Sequence, residues 1–353
     1  MRIGIPKEIK TLEGRVALIP DAVADLLQHG HEVFIEHDAG VLSGYSDEDF
    51  RQAGVQIVPD AKALYDASEM IVKVKEPQPS ELELLRSDHI LFSYLHLAAN
   101  LELMKALQQI GLTAVAFETV QLPDGQLPLL APMSDIAGRI SVQVGTHLLH
   151  SPQGGRGILL GGLPAAERGR VVILGAGVAG GNAALVAANA GAEVVVFDRK
   201  RAKLEHMRAL GHNVTALYPY QHSLIEHVKH ADLLIGAILV VGERAQKIVS
   251  ADMVRSMKKG SVIIDISVDQ GGCVETTRPT NYENPTFEWE GVIHFGVTNM
   301  PGAVPRSASQ ALSASLLPNV LRLATPDWEQ QTDLVAGINV KQGEILHPAL
   351  QNL

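Results

Sequence analysis

Four residues whose types suit proton and carboxylate chemistry stand at the ends of short apolar runs or in the loops that follow them. Arg15 follows the run at 2–6, Lys75 closes the run at 70–75, His96 follows 90–95 and Asp269 follows 262–266. In open α/β sheets, ligands collect outside the carboxyl ends of the strands, so side chains at those ends carry more weight than the same side chains elsewhere. An arginine offers a planar fork to a carboxylate, a lysine polarises a carbonyl oxygen, and a histidine passes a proton near neutrality, with one carboxylate, Asp269, facing these three. Together they fit a small 2-oxo or 2-amino acid. Taken singly, each has a plainer reading: Arg15 and Lys75 as solvated surface charges, His96 as one of 14 histidines satisfied by backbone, and Asp269 as a turn former before Gly271-Gly272. Only their shared position lifts the set above those readings.

A fifth feature is a glycine turn. Val171-Val172-Ile173-Leu174 runs into Gly175-Ala176-Gly177-Val178-Ala179-Gly180, and Gly181-Asn182-Ala183-Ala184-Leu185 continues in helical composition. This is G-x-G-x-x-G in its strand, turn and helix context. The first glycine serves the tight turn, the second the approach of a pyrophosphate, and the third close packing of helix on strand, with the helix N-terminus facing phosphate. The next strand ends at Asp198, at the spacing where an acid accepts hydrogen bonds from a ribose. A carboxylate there repels a 2′-phosphate, whereas Arg199, Lys200, Arg201 and Lys203 just beyond would attract one. The acid is nearer the ribose, so NAD is the expected cofactor.

Short β-branched runs alternate with longer helical patterns along the chain, the rhythm of α/β architecture. Strands are expected at 2–6, 31–36, 70–75, 90–95 and 113–118, with helices at 21–28, 80–85 and 100–109. A long amphipathic segment at 134–150 and a glycine-rich stretch at 153–162 lead to a second series of strands at 171–174, 194–198, 233–238, 262–266 and 293–297. A helix at 307–323 follows Pro301 and Pro305. The expected fold is therefore two Rossmann-like, doubly wound parallel sheets with an active-site cleft between domains. The substrate-binding domain is discontinuous, 1–130 plus 305–353, and the NAD-binding domain is inserted at 131–304.

Composition narrows the partners. The chain has 353 residues, 46% hydrophobic and 4% aromatic, with 29 Lys+Arg against 39 Asp+Glu for a net charge of −10. That balance disfavours disorder, single-strand nucleic-acid binding and attraction to DNA or an anionic membrane, and points to a small molecule. Cys273 is the single cysteine, which excludes a disulfide framework and a thiolate-rich zinc site. No base adjoins it in sequence, so it is read as structural, and no metal is expected. The start, with Pro6 among charges, lacks the apolar stretch of a signal peptide, and no run approaches the ~20 residues of a membrane span. A soluble, cytoplasmic protein is the expectation.

Several separate segments carry a resemblance over nearly the whole chain. They are Gly4-Ile5-Pro6-Lys7-Glu8 with Glu13-x-Arg15-Val16-Ala17, Val74-Lys75-Glu76-Pro77, Tyr94-Leu95-His96-Leu97-Ala98 and Pro132-Met133-Ser134. Asp265-Ile266-x-x-Asp269-Gln270-Gly271-Gly272 and Thr298-Asn299-Met300-Pro301-Gly302 complete them. In this order they resemble the alanine dehydrogenases, relatives of the nucleotide-binding subunit of proton-pumping transhydrogenases. The resemblance implies NAD-dependent oxidative deamination of L-alanine to pyruvate and ammonium, and the reverse amination. It implies Arg15 and Lys75 as substrate-binding residues, His96 and Asp269 as acid/base groups, and a homohexamer. Cofactor contacts are implied at Ser134, Gly175, Gly177, Val178, Ala179, Gly180, Asp198, Lys203, Ile238 and Leu239. Further contacts are implied at Ile266, Ser267, Val268, Asp269, Arg278, Val297, Thr298, Asn299 and Met300. Where the family commonly has Ser after the tyrosine matching Tyr218, this chain has Pro219, which removes one hydrogen bond near the adenosine. The chain also ends soon after 337–340, which is expected to trim a peripheral segment. Two other activities fit the cofactor signature: a transhydrogenase-like subunit passing hydride to a partner, which would not need Arg15, Lys75 and His96 together, and a dehydrogenase of a larger amino acid. A non-catalytic NAD sensor is disfavoured by the intact polar set.

Overall fold

Apolar runs become parallel strands in this protein because both of their faces are covered. The computed structural model describes residues 1–238 and 246–351. In chain order the strands are β1 (Arg2–Ile5), β2 (Glu32–Glu36), β3 (Gln56–Val58), β4 (Met70–Val72), β5 (Ile90–Ser93) and β6 (Thr113–Ala116). Then come β7 (Arg170–Leu174), β8 (Glu193–Phe197), β9 (Val214–Leu217), β10 (Leu233–Gly236), β11 (Val262–Asp265), β12 (Thr286–Trp289) and β13 (Val292–Phe295). The last are β14 (Ile338–Lys341) and β15 (Glu344–Ile345).

Two units result, Met1–Met133 with Gly302–Leu353, and Ser134–Pro301. The first holds a sheet ordered β15-β14-β6-β5-β4-β1-β2-β3 and the second a sheet ordered β12-β13-β11-β10-β7-β8-β9. Pairings are parallel except at one edge of each sheet, where β14 runs antiparallel to β6 and β15, and β12 antiparallel to β13. The α/β class therefore stands, with an antiparallel margin on each sheet as a correction to wholly parallel sheets. The overlooked strands β3, β9, β12, β14 and β15 lie at or next to sheet edges. There one side of the ladder is unpaired and the residues alternate or stay polar, so the continuous apolar signal of a central strand is missing. In contrast, Val171, Val172, Ile173, Leu233, Leu234, Ile235, Val262, Ile263 and Ile264 are fully enclosed.

Helices supply the covering layers. Leu101–Ile110 starts where the Asn100 side chain accepts a hydrogen bond from the Leu103 N–H at 3.1 Å. It stops at Gly111, which takes a left-handed φ of 79°. Its apolar stripe, Leu103, Met104 and Leu107, packs into a cluster with Leu91, Leu95, Ala114 and Val340. Pro305–Leu323 begins two residues earlier than expected, because Pro305 fits the first turn, where its missing N–H is not needed. Ser309 and Ser313 on this helix accept hydrogen bonds from the Val16 and Ile19 N–H groups at 2.9 and 3.1 Å. That fixes the segment next to Arg15.

Strand ends need the most correction. The run at 70–75 leaves the sheet after Val72, that at 90–95 after Ser93, that at 113–118 after Ala116 and that at 262–266 after Asp265. Apolar character continues through Val74 and Leu95, both buried, although regular strand pairing has ended and only single hydrogen bonds such as Tyr94 N–H to the Val74 carbonyl persist. The polar residues of interest therefore stand in loops beyond the strands.

Candidate active site

In the first unit, Arg15 is buried, at 2% exposure, which removes its reading as a surface charge. Its Nε and Nη2 donate to the two carboxylate oxygens of Glu13, at 2.7 Å from Nε, and Nη1 lies 3.1 Å from the Met133 sulfur. Burial works against the Glu13 charge, yet the Arg15 guanidinium outweighs it and holds that carboxyl below the usual carboxylate range.

Lys75 lies three residues past β4. Burial, reinforced by the Arg15 and Lys10 charges, pushes its ammonium below the ordinary lysine value. Lys10 is itself paired with Glu76. The backbone here is held by Glu8, which follows β1 on the neighbouring strand. Its carboxylate accepts the Val74 backbone N–H at 2.5 Å and the Lys75 backbone N–H at 3.3 Å. Behind Glu8, the fully enclosed Lys73 ammonium lies 3.3 Å from Glu8 and 3.0 Å from Glu81, and Glu81 also accepts from the Tyr65 hydroxyl at 3.1 Å. A charge so deep is tolerable only when paired on all sides.

His96 follows β5 with a left-handed φ of 49°. Glu118, in the turn after β6, accepts the His96 N–H at 2.6 Å and the Leu95 N–H at 3.2 Å, and its Oε1 lies 3.8 Å from the His96 Nδ1. The imidazole stacks parallel to the Tyr94 ring, whose hydroxyl donates to the Leu129 carbonyl at 2.6 Å. The side chain is 47% exposed, so ring and solvent can meet. Arg15, Lys75 and His96 thus all stand past the carboxyl ends of β1, β4 and β5, strands that neighbour one another in one sheet.

In the second unit, the glycine turn is crowded at its first and third glycines and open at its second. Gly175 takes a φ of 99°, and a Cβ there would lie 2.5 Å from the Ala237 carbonyl oxygen. A Cβ on Gly180 would fall 1.8 Å from the Gly175 oxygen. Gly177 begins the helix Val178–Asn189, and a Cβ there would meet no protein atom within 4 Å. The chain itself does not require glycine at that position, whereas a phosphate approaching the helix N-terminus would. Val178 is half-exposed, and the Ala179 carbonyl is met by Gly138 of the helix Ala131–Leu148, which also carries half-buried Ser134.

Asp198 joins the turn to the next strand, its two oxygens accepting the Ala176 and Lys200 N–H groups, both at 2.8 Å. The Lys203 ammonium lies 4.0 Å away. Tyr218 and Tyr220, on either side of Pro219, are both exposed, with ring centroids 4.9 Å apart. Residues 266–269, read as a strand end, form instead a 3-10 turn, Ile266–Gln270. Its Ser267 hydroxyl accepts the Ile238 N–H at 2.9 Å. Leu239 lies outside the described residues. Val297 is buried and bridges to Thr280, the Thr298 N–H donates to the Thr280 carbonyl, Asn299 takes a φ of 64°, and the buried Met300 accepts from the Tyr282 hydroxyl. The Arg278 guanidinium lies over the Phe287 ring, 4.5 Å from its centre. Cys273 is enclosed, and burial keeps its thiol protonated well past neutrality, in line with a structural role.

Reading the sequence for strand-end side chains missed the carboxylates that fix them, Glu8, Glu13, Glu118 and Asp265. Each accepts backbone N–H groups that the sheet no longer pairs or grips a neighbouring side chain. The signal was an acid beside each apolar run, without a way to tell a buried acid from a solvated one.

Two sequence profiles cover the chain: "Alanine dehydrogenase/PNT, N-terminal domain" over residues 4–137 and "Alanine dehydrogenase/PNT, C-terminal domain" over 141–348. An alanine dehydrogenase from Methanococcus maripaludis is 46% identical over 99% of this chain and 95% of its own length. One from Bacillus subtilis is 44% identical over 99% and 94%. A solved L-alanine dehydrogenase superimposes with a TM-score of 0.96 at 51% identity, over 100% of this chain and 98% of its own. A transhydrogenase from Sinorhizobium meliloti gives 0.85 at 27% identity, over 99% and 100%. With the strand-end cations of the first unit and the glycine turn of the second, these likenesses place the chain in the alanine dehydrogenase/PNT family.

Proposed function

We propose that this protein catalyses the NAD-dependent oxidative deamination of L-alanine to pyruvate and ammonium, and the reverse amination. One observation carries the choice within the family: a buried arginine, a half-buried lysine and an accessible histidine stand at three adjacent strand ends of one sheet, a set that a subunit merely relaying hydride does not need. The full-length likeness to alanine dehydrogenases supports the same choice over a dehydrogenase of a larger amino acid.

Arg15, stiffened by Glu13, and Lys75 hold the substrate's carboxylate and its 2-oxygen. An ammonium whose proton is already weakly held hydrogen-bonds strongly to a developing alkoxide. His96, kept in place by Glu118 and Tyr94, removes a proton in deamination and returns it in amination. Asp269 serves as the second acid/base beside the nitrogen. Gly175, Gly177 and Gly180, with the helix N-terminus at Val178, would hold the pyrophosphate of NAD, and Asp198 its ribose. Bound there, NAD supplies the hydride acceptor for the substrate's Cα. Ser134, Lys203, Ile238, Arg278, residues 266–269 and Val297, Thr298, Asn299 and Met300 complete the cofactor contacts in this reading.

The deciding assay follows NADH consumption with pyruvate and ammonium together, and with each alone. Turnover only with both is the expected result; turnover without ammonium, or with bulkier 2-oxo acids in preference, overturns the alanine assignment. A cytoplasmic homohexamer belongs to the same reading, and light scattering of the purified protein at about six chain masses is its check. Among the described residues, no helix is long and apolar enough to cross a membrane.

A further inference from the structure

The turn that presents Asp269 is closed by a group with no part in the reaction just described. Asp265, the last residue of β11, is 1% exposed. Its Oδ1 accepts the Ser267 N–H at 3.1 Å and faces the Cys273 thiol at 3.6 Å, while Oδ2 accepts the N–H groups of Cys273 at 2.9 Å and Val274 at 3.1 Å. One carboxylate thus binds backbone on both sides of the segment 266–272, before and after Asp269. The segment is tightened from within by Gly271 N–H to Val268 and Gly272 N–H to Ser267, both at 3.0 Å. Packing leaves the carboxylate nowhere to go. A Cβ on Gly272 would lie 2.6 Å from Oδ2, and one on Gly236 of the neighbouring strand 2.9 Å from Oδ1. Lys247 donates to the Val274 and Gly271 carbonyls and clamps the same segment from outside.

We infer that Asp265 is a positioning residue for the reaction: by gathering the N–H groups of Ser267, Cys273 and Val274 it sets where the Asp269 carboxylate stands. This rests on the proposed acid/base role of Asp269. All four groups facing Asp265 are donors in the geometry observed. An amide in its place must therefore turn its NH2 toward Ser267 N–H and the thiol, or toward the two N–H groups of Cys273 and Val274. Either way, one side of the turn loses its anchor. Burial pushes the Asp265 carboxyl above the usual carboxylate range, and the N–H groups of Val274, Cys273 and Ser267 oppose that shift. Shifts of about 1 Å at a catalytic group cost on the order of 100-fold in rate.

The test compares Asp265→Asn, Asp269→Asn and the unaltered enzyme in pyruvate amination. Rates are normalised to sites titrated by NADH fluorescence, and kcat is followed against pH. Asp269→Asn tests the underlying reading: activity within threefold of the unaltered enzyme removes the acid/base role and with it the basis for this inference. With Asp269→Asn slowed by more than threefold, and one limb of the pH profile missing from its residual activity, Asp265→Asn is expected to lower kcat per NADH-binding site by about 10- to 100-fold, and to displace that same limb. An unchanged kcat, or a loss of kcat with that limb unmoved, overturns the inference and leaves Asp265 a fold-stabilising residue. Should Asp265→Asn fail to fold, Gly272→Ala keeps the carboxylate but crowds its Oδ2, with added backbone strain from the left-handed φ of 75° there. The same two readings of the limb then decide.

Discussion

The two units hold their ligand-facing groups by opposite means. In the first, side-chain charge does the holding: Glu13 grips Arg15, Glu8, itself paired with Lys73, accepts the Lys75 backbone N–H, and Glu118 accepts that of His96. In the second, the surface proposed to take phosphate is backbone, shaped by the places where a Cβ cannot be, at Gly175 and Gly180, and by open space at Gly177. Charge sites are costly to build, because each buried ion must be matched by another. A glycine turn costs chain entropy instead and leaves N–H groups ready for an anion. The first kind of site fails when one partner of a pair is lost; the second fails when one methyl is added.

The contrast can be broken hardest at His96. His96→Ala should lower kcat for amination by about 10²- to 10⁴-fold, with the melting temperature little changed because the ring is half-exposed. Stopped-flow rates and calorimetry on one sample check both halves. Next comes the deep ion cluster. Lys73→Met leaves Glu8 and Glu81 facing one another without their cation, and urea unfolding should show a loss of about 3–5 kcal/mol. Loss below about 1 kcal/mol would mean the two acids are held mainly by their backbone and tyrosine donors.

The glycine turn offers a paired comparison. Gly180→Ala forces a methyl onto the Gly175 carbonyl oxygen and should cost about 3 kcal/mol of stability. Gly177→Ala meets nothing within the chain and should stay within about 1 kcal/mol of the parent in stability, yet weaken NADH binding at least tenfold by calorimetric titration. If both variants lost stability equally, Gly177 would have a structural cause and the phosphate reading would lose its support. The smallest expected effect concerns Lys75. Its proton is held less tightly than the ordinary 10.5 implies, so the KM for pyruvate should climb as pH rises through that lowered value, while Lys75→Arg shifts the climb beyond the accessible range. The sign for stability is the same in origin: between the lowered value and 10.5 the unfolded chain binds the proton that the folded chain has released, so this group adds stability as pH rises there.

Central strands and the glycine turn were legible because their signals are local. Val171 to Leu174 can bury both faces only as an inner strand, and G-x-G-x-x-G after it has one economical geometry. Lys75 and His96 were legible as candidates because each closes or directly follows such a run, and Arg15 because it lies in the loop after the first one. The strand ends were misplaced by two or three residues at Lys75 and His96, since an apolar Val74 or Leu95 looks the same whether its N–H pairs with a strand or with a carboxylate. Edge strands such as β9 and β12 were missed because half of each ladder has no partner to impose a pattern.

Taken alone, the sequence determines that two α/β units are built, which strand carries the dinucleotide turn, and which four polar residues compete for the chemistry. Those features follow from hydrophobic periodicity and from backbone conformations open to few residue types. Tertiary structure decides which charges are buried and with whom. Glu8 meets Lys73 across 65 positions of chain, and Glu118 reaches back 22 to His96. Burial of a charge is set by the whole surrounding fold, so no local pattern in the chain can announce it.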